Sequence, residues 1–193
     1  SERSQIDVIR YRLHEERAQF VVQLARSWAN LSVKPAAEKS IALILANYPT
    51  RDGRIGNGVG LDTPASTINL LQRLQEDGYD IKDIPEDGDT LINILLQQVT
   101  NDLDRIPLLP ALQSLDLETY IEFFNSLPKN NQKAVLDRWG KVETDPKFRR
   151  GRIIISGVRL GSVFVGIQPA RGFNIDHQAN YHDPDLVPPH GYL

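Results

Sequence analysis

Between Ser40 and Pro49 the chain reads "SIALILANYP", almost unbroken in apolar residues and no longer than a strand. A strand that is apolar on both faces must be covered on both, as strands of a parallel sheet are. The segment after it is unusually long for a turn. "NYPTRDGRIGNGVGLDTPAS" (Asn47–Ser66) carries Gly53, Gly56, Gly58 and Gly60 among arginines and aspartates. Thr63-Pro64 then reads as an N-cap and first helical position, with Leu70, Leu71 and Leu74 as the buried stripe and Gly78 as the stop. "YDIKDIP" reads as a short second strand. The result is a β-loop-α-β unit with an expected right-handed crossover.

The flanking pattern extends this reading. Ile6, Ile9, Leu13, Phe20, Leu24 and Trp28 lie near helical spacing, which predicts one long amphipathic helix over 5–30. "SVKPAAEKS" is a linker broken by Pro35. Further helices are expected from near Asp89, after Asp116 as a cap, and over "NNQKAVLDRW" up to Gly140. "RIIISGVRL" and "SVFVGIQP" are strands joined near Gly161-Ser162, the second a core strand. The predicted class is α/β: a three-layer, Rossmann-like, open and mostly parallel sheet with flanking helices, preceded by the long helix. Residues 1–34 are read as a helix from a preceding region, and 35–193 as the α/β domain.

The totals narrow the function. At 193 residues, with no cysteine, the chain suits one large domain, or one domain plus a fragment of another, without a disulfide framework or a thiolate metal site. A net charge of −3 and a pI near 5.8 give no reason to expect nucleic acid or an anionic membrane surface. Without a signal-peptide pattern or a spanning apolar stretch, a cytoplasmic location is expected. The lack of methionine and the apolar, aromatic ending "PPHGYL" suggest a segment of something longer, truncated at its C-terminus.

In an open α/β sheet, ligands bind beyond the carboxyl ends of the strands, where the glycine loop lies. Its glycines allow close backbone approach, Arg51 and Arg54 suit bidentate contact with carboxylates, and the helix from Pro64 offers N–H donors to an anion. "GNGVGL" is not the dinucleotide fingerprint, because Leu61 stands where the third glycine belongs, and no lysine is present for a Walker loop. The alternative is a surface loop held by its own Asp–Arg pairs. Arg171, just past the end of the second strand, is placed to close the same crevice. Three of the four histidines, His177, His182 and His190, lie near the end among Asp176, Asp183 and Asp185. Imidazole and carboxylate without sulfur suit Co²⁺, Zn²⁺, Fe²⁺ or Ni²⁺, but the spacing matches no compact metal motif. A single loop histidine more often bonds a backbone carbonyl.

Two stretches, "ALILANYPTRDGRIGNGVGLDTPASTINLLQRLQEDGYD" (Ala42–Asp80) and "VFVGIQPARGFNIDHQANYHDPDLVPPHGYL" (Val163–Leu193), together resemble the cobaltochelatase large subunit (CobN) family. That family is related to the H subunit of magnesium chelatase, whose members differ from this chain at both stretches. The resemblance implies a subunit that binds a tetrapyrrole-derived or corrinoid ring and takes part in inserting Co²⁺, the substrate metal. ATP would be hydrolysed by an AAA+ ATPase and its partner subunit, not by this chain. The implied substrate-binding residues are Asn47, Arg51, Asp52, Arg54, Gly56, Asn57, Gly58, Asp62 and Thr63, with Gln168 and Arg171. His182 and His190 are implied as catalytic, and with Asp183 as metal ligands. The family's glutamate-bearing "HG…E" motif falls after Leu193, so the chain alone is expected to be inactive. The alternative is a tetrapyrrole- or metal-binding scaffold domain of a magnesium-chelatase-type subunit.

Overall fold

The computed structural model describes residues 11–47, 55–174 and 187–193, with Arg171 and Asn174 as backbone only. In chain order the elements are α1 (Glu15–Val33), β1 (Ile41–Leu45), β2 (Asn57–Gly58), β3 (Leu61–Asp62), α2 (Thr63–Glu76) and α3 (Gly88–Leu96). They continue with β4 (Gln113–Asp116), α4 (Leu117–Ser126), α5 (Lys129–Trp139), β5 (Phe148–Arg149), β6 (Arg152–Ile155), β7 (Gly157–Leu160) and β8 (Val163–Ile167).

Most local signals act where they stand. Asp116 caps α4, its carboxylate accepting from Thr119 N at 2.9 Å. Gly78 and Gly140 end α2 and α5 at positive φ. The cap of α2 is Asp62 rather than Thr63, through a 3.0 Å bond from Ala65 N. The helix buries Thr67, Ile68 and Leu71, and Leu74 packs half-buried against the same core, while Leu70 of the expected stripe is exposed. No residue of α1 is buried, and Phe20, Leu24 and Trp28 all face outward. No helix among the described residues is long and apolar enough to cross a membrane.

The sheets depart from the mostly parallel expectation. Three strands lie in the order β1-β8-β7, with β1 and β8 parallel and β7 and β8 an antiparallel hairpin. A second sheet, β4-β6-β5, is wholly antiparallel. "RIIISGVRL" is therefore two strands: β6 belongs to one sheet, β7 to the other, and buried Ser156 is the joint. "YDIKDIP" forms no strand, so the expected β-loop-α-β crossover is absent. Asp83 sits at φ 56° just before Pro85, and backbone in either conformation interrupts a ladder. The groups of this segment are satisfied otherwise: Ile81 O accepts from Gln75 Nε2 at 2.8 Å, and Asp80 O from Ser162 N at 2.7 Å. At Gly161, φ 67°, a Cβ would strike Asp80 O, so the β7–β8 turn needs glycine to close on this segment.

The core follows the same division. Helices α2 and α3 cover one face of the β1-β8-β7 sheet, where Leu45, Val163, Val165 and Ile167 pack on Ile68, Leu71, Leu91 and Leu95. Tyr120, Phe124, Val135, Val142 and Ile153 form a second core under α4 and α5. Among the described residues no helix covers the other face of β1 and β8. Ile44 is 53% exposed there, and with Phe164 and Gly166 it lines a hollow in the angle between the two sheets. The third layer expected of a Rossmann-like fold is thus not seen among the described residues. The apolar run over-reads coverage because alternate residues of β1 face either a helix or this hollow.

Candidate functional site

Pairing of β1 with β8 runs in parallel register from Ile41↔Val163 to Leu45↔Ile167. Both strands therefore end at one rim, and the chain leaves them side by side at Ala46 and Gln168. Gln168 N donates to Leu45 O at 2.9 Å, and Gln168 O accepts from Asn101 Nδ2 at 2.7 Å. The Gln168 side chain is exposed at this rim. Had the strands been antiparallel, the two motif-bearing segments would have left opposite edges.

Beyond β1 the chain turns back on itself. Asn47 and Ile55 form an antiparallel bridge, and Gly56 N donates to Ala46 O at 2.7 Å. The later half of the expected loop is a small hairpin, with Asn57 paired to Asp62 and Gly58 to Leu61. Gly60, at φ 75°, supplies the left-handed turn residue. Gly56 is buried against Pro64 and Ile92, whereas Asn57 is exposed and Gly58 and Thr63 half-buried. Arg51, Asp52 and Arg54 lie outside the described residues.

Two features qualify the anion-binding expectation at this rim. Pro64 has no N–H, and the Ala65 N–H is taken by Asp62, so the start of α2 is already occupied by the chain's own carboxylate. Asn47, in contrast, is 2% exposed, and neither its Oδ1 nor its Nδ2 has a hydrogen-bond partner among the described residues. A buried amide left unbonded costs about 1–3 kcal/mol relative to a satisfied one. Sequence reading names Asn47 as part of a motif; only burial shows how unusual its amide is.

The tail is expected from the sequence to supply metal ligands. His182 and Asp183 lie outside the described residues, as do His177, Asp176 and Asp185. His190 is 3% exposed and already engaged at both nitrogens. Nε2 lies 2.9 Å from the Gly140 carbonyl, which only accepts, so Nε2 carries the proton. Nδ1 then accepts from the Tyr120 hydroxyl at 2.6 Å. Burial, with the Asp145 charge adding to it, holds that phenol well above its usual range. In this arrangement His190 fastens the chain end to α4 and α5, and neither nitrogen is open to a metal. Among the described residues no group of three or more histidine, aspartate or glutamate side chains could hold a metal ion. Arg171 lies in a turn after β8 whose Gly172 and Phe173 are left-handed, at φ 61° and 56°.

Comparison with known proteins agrees with the pattern of motifs. The profile of the CobN/Magnesium Chelatase family matches residues 1–193. The aerobic cobaltochelatase subunit CobN of Pseudomonas aeruginosa is 57% identical over 193 residues, all of this chain and 16% of that protein. The Sinorhizobium protein of the same name is 49% identical, over 93% of this chain and 14% of its own length. The H subunit of the Chlorobaculum parvum magnesium chelatase is 24% identical, over 93% of this chain and 14% of its own length. Among solved structures, the catalytic subunit of cobaltochelatase from Mycobacterium tuberculosis superposes with a TM-score of 0.76 at 35% identity, covering 98% of this chain and 16% of that one. The chain thus spans 16% or less of the length of these cobaltochelatase relatives.

Proposed function

The chain belongs to the CobN/magnesium chelatase family, and on that premise we propose that it is part of the ring-binding large subunit of a cobaltochelatase. The subunit would bind a corrin precursor while Co²⁺ enters it during cobalamin synthesis, in a reaction driven by ATP that AAA+ partner subunits hydrolyse. The observation that supports this reading is the parallel β1–β8 register, since the two motif-bearing segments leave the sheet side by side at Ala46 and Gln168. Identity of 57% to a cobalt subunit against 24% to a magnesium subunit supports the cobalt branch over a magnesium-type scaffold.

Corrinoid precursors are flat rings edged by carboxylate or amide arms. Arg51, Arg54 and Arg171 suit the carboxylates as bidentate donors. The Asn47 amide, the exposed Gln168 side chain and the backbone of Gly56–Gly58 suit the amides. Thr63 and Asn57 stand at the same mouth. Asp62 orders the start of α2 by accepting from Ala65 N, and Asp52 is assigned with it to the substrate-binding loop. His182 and Asp183 remain the residues for metal delivery and pyrrole-proton removal, tasks suited to imidazole and carboxylate.

Titrating the chain with a corrinoid precursor, followed by visible absorbance, tests the reading. Arg51→Ala together with Arg54→Ala should weaken binding by about 1.5–3 kcal/mol per charge-assisted bond lost. Unchanged affinity in that double variant would remove the loop from the site.

A further inference from the structure

A hollow of about 610 Å³ lies in the angle between the two sheets, a volume within the usual range of small-molecule sites. Ile44 and Phe164 line it from one sheet, Leu115, Ile153 and Ile155 from the other. Its lining is mostly apolar, yet Lys147 is part of it. Lys147 is 3% exposed. Its ammonium donates to Ser156 Oγ at 2.9 Å and lies 4.0 Å from the centre of the Tyr192 ring. The Ser156 hydroxyl in turn donates to Thr100 O at 3.1 Å.

What Lys147 lacks among the described residues is a contacting anion. Asp145, whose charge acts on it, spends its two oxygens on Lys147 N and Gly191 N, each at 2.8 Å, and makes no ion pair with the ammonium. An ammonium has three donors, and a buried cation without a counter-charge is costly. Burial accordingly pulls Lys147 down to about 8, with Asp145 opposing from a distance. A cation held in an apolar hollow by a hydroxyl and a ring face, with donor capacity to spare, is a receptor for one carboxylate attached to an apolar body.

We propose that this hollow is a ligand site in which Lys147 pairs with the carboxylate of a largely apolar small molecule lying against Ile44, Phe164 and Ile155. On the ring-binding reading above, that carboxylate is one acid arm of the macrocycle, entering past Pro169, which lines the hollow beside the rim.

The probes are 1-pyrenebutyrate and its uncharged counterpart 1-pyrenebutanol, followed by fluorescence on the intact 193-residue chain. The acid should bind at least tenfold more tightly than the alcohol. Lys147→Met should erase that preference while leaving the alcohol's affinity in place. Should Lys147→Met fail to fold, the native chain is treated with the succinimidyl ester of the same acid. The Lys147 amine then displaces N-hydroxysuccinimide to form an amide, and free pyrenebutyrate should protect it; peptide mass spectrometry reads the acylation. Equal binding of acid and alcohol, a preference that survives Lys147→Met, or no protection of Lys147 overturns the proposal. Acid selectivity through Lys147 without any corrinoid binding would overturn the ring reading and leave this site standing.

Discussion

Asn47 and Lys147 are both polar side chains held where folding alone gives them little return. Replacing the Asn47 amide by an apolar group of similar size removes a buried pair of atoms that has no hydrogen-bond partner among the described residues. Asn47→Leu should therefore leave the empty chain as stable or about 1 kcal/mol more stable in urea, while weakening corrinoid binding. A variant that is destabilised and binds normally would mean the amide serves the fold instead. Lys147 makes a pH-dependent contribution of definite sign. Its folded value near 8 lies below the ordinary 10.5, so between those limits the unfolded chain holds more protons. Stability then rises with pH across that window, by up to roughly 3 kcal/mol, and is indifferent to this group below pH 8. Measured against Lys147→Met, the wild-type chain should gain in thermal midpoint from pH 8 to 10. A flat difference would show that the ammonium is not buried.

At the scale of elements, the strands β7 and β8 are arranged around one ring. Phe164 lies across Gly166 and Gly157: a Cβ on Gly166 would stand 2.5 Å from the ring, and one on Gly157 would meet it too. The two glycines leave the ring room to form a wall of the hollow. Gly166→Ala should displace Phe164 and destabilise the chain by about 1–3 kcal/mol, the usual cost of overpacking, while lowering pyrenebutyrate affinity. Chemical denaturation and the same fluorescence titration measure both effects. A fully stable variant with unchanged affinity would show that the ring is free to move aside. The capping of α2 belongs to this scale as well. Its first turn is bonded by Asp62, so an anion at the rim would not find the Ala65 N–H free.

For the molecule as a whole, α1 contributes no residue to any of the three apolar clusters among the described residues. None of its residues is buried, and Phe20, Trp28 and Val33 are at least 60% exposed. Removing residues 1–34 should leave the thermal midpoint of the remainder within about 2 °C, since no residue of α1 is buried. A fall of 5 °C or more would show that α1 docks on the α/β region.

Much of this protein was readable from local order alone. The strand at 41–45, the Asp116 cap, the stops at Gly78 and Gly140 and the two family-like stretches depend on spacing, backbone freedom and short-range hydrogen bonds. These belong to residues a few positions apart. The parallel pairing of β1 with β8 does not, because it joins segments more than a hundred residues apart, and an apolar run does not name its partner. For the same reason the split of "RIIISGVRL" at Ser156, the closure of both His190 nitrogens and the burial of Lys147 in the angle between two sheets emerged only from the packed chain. Periodicity shows that a residue faces inward. Only tertiary contact decides whether it meets a helix, a hydroxyl or an open hollow.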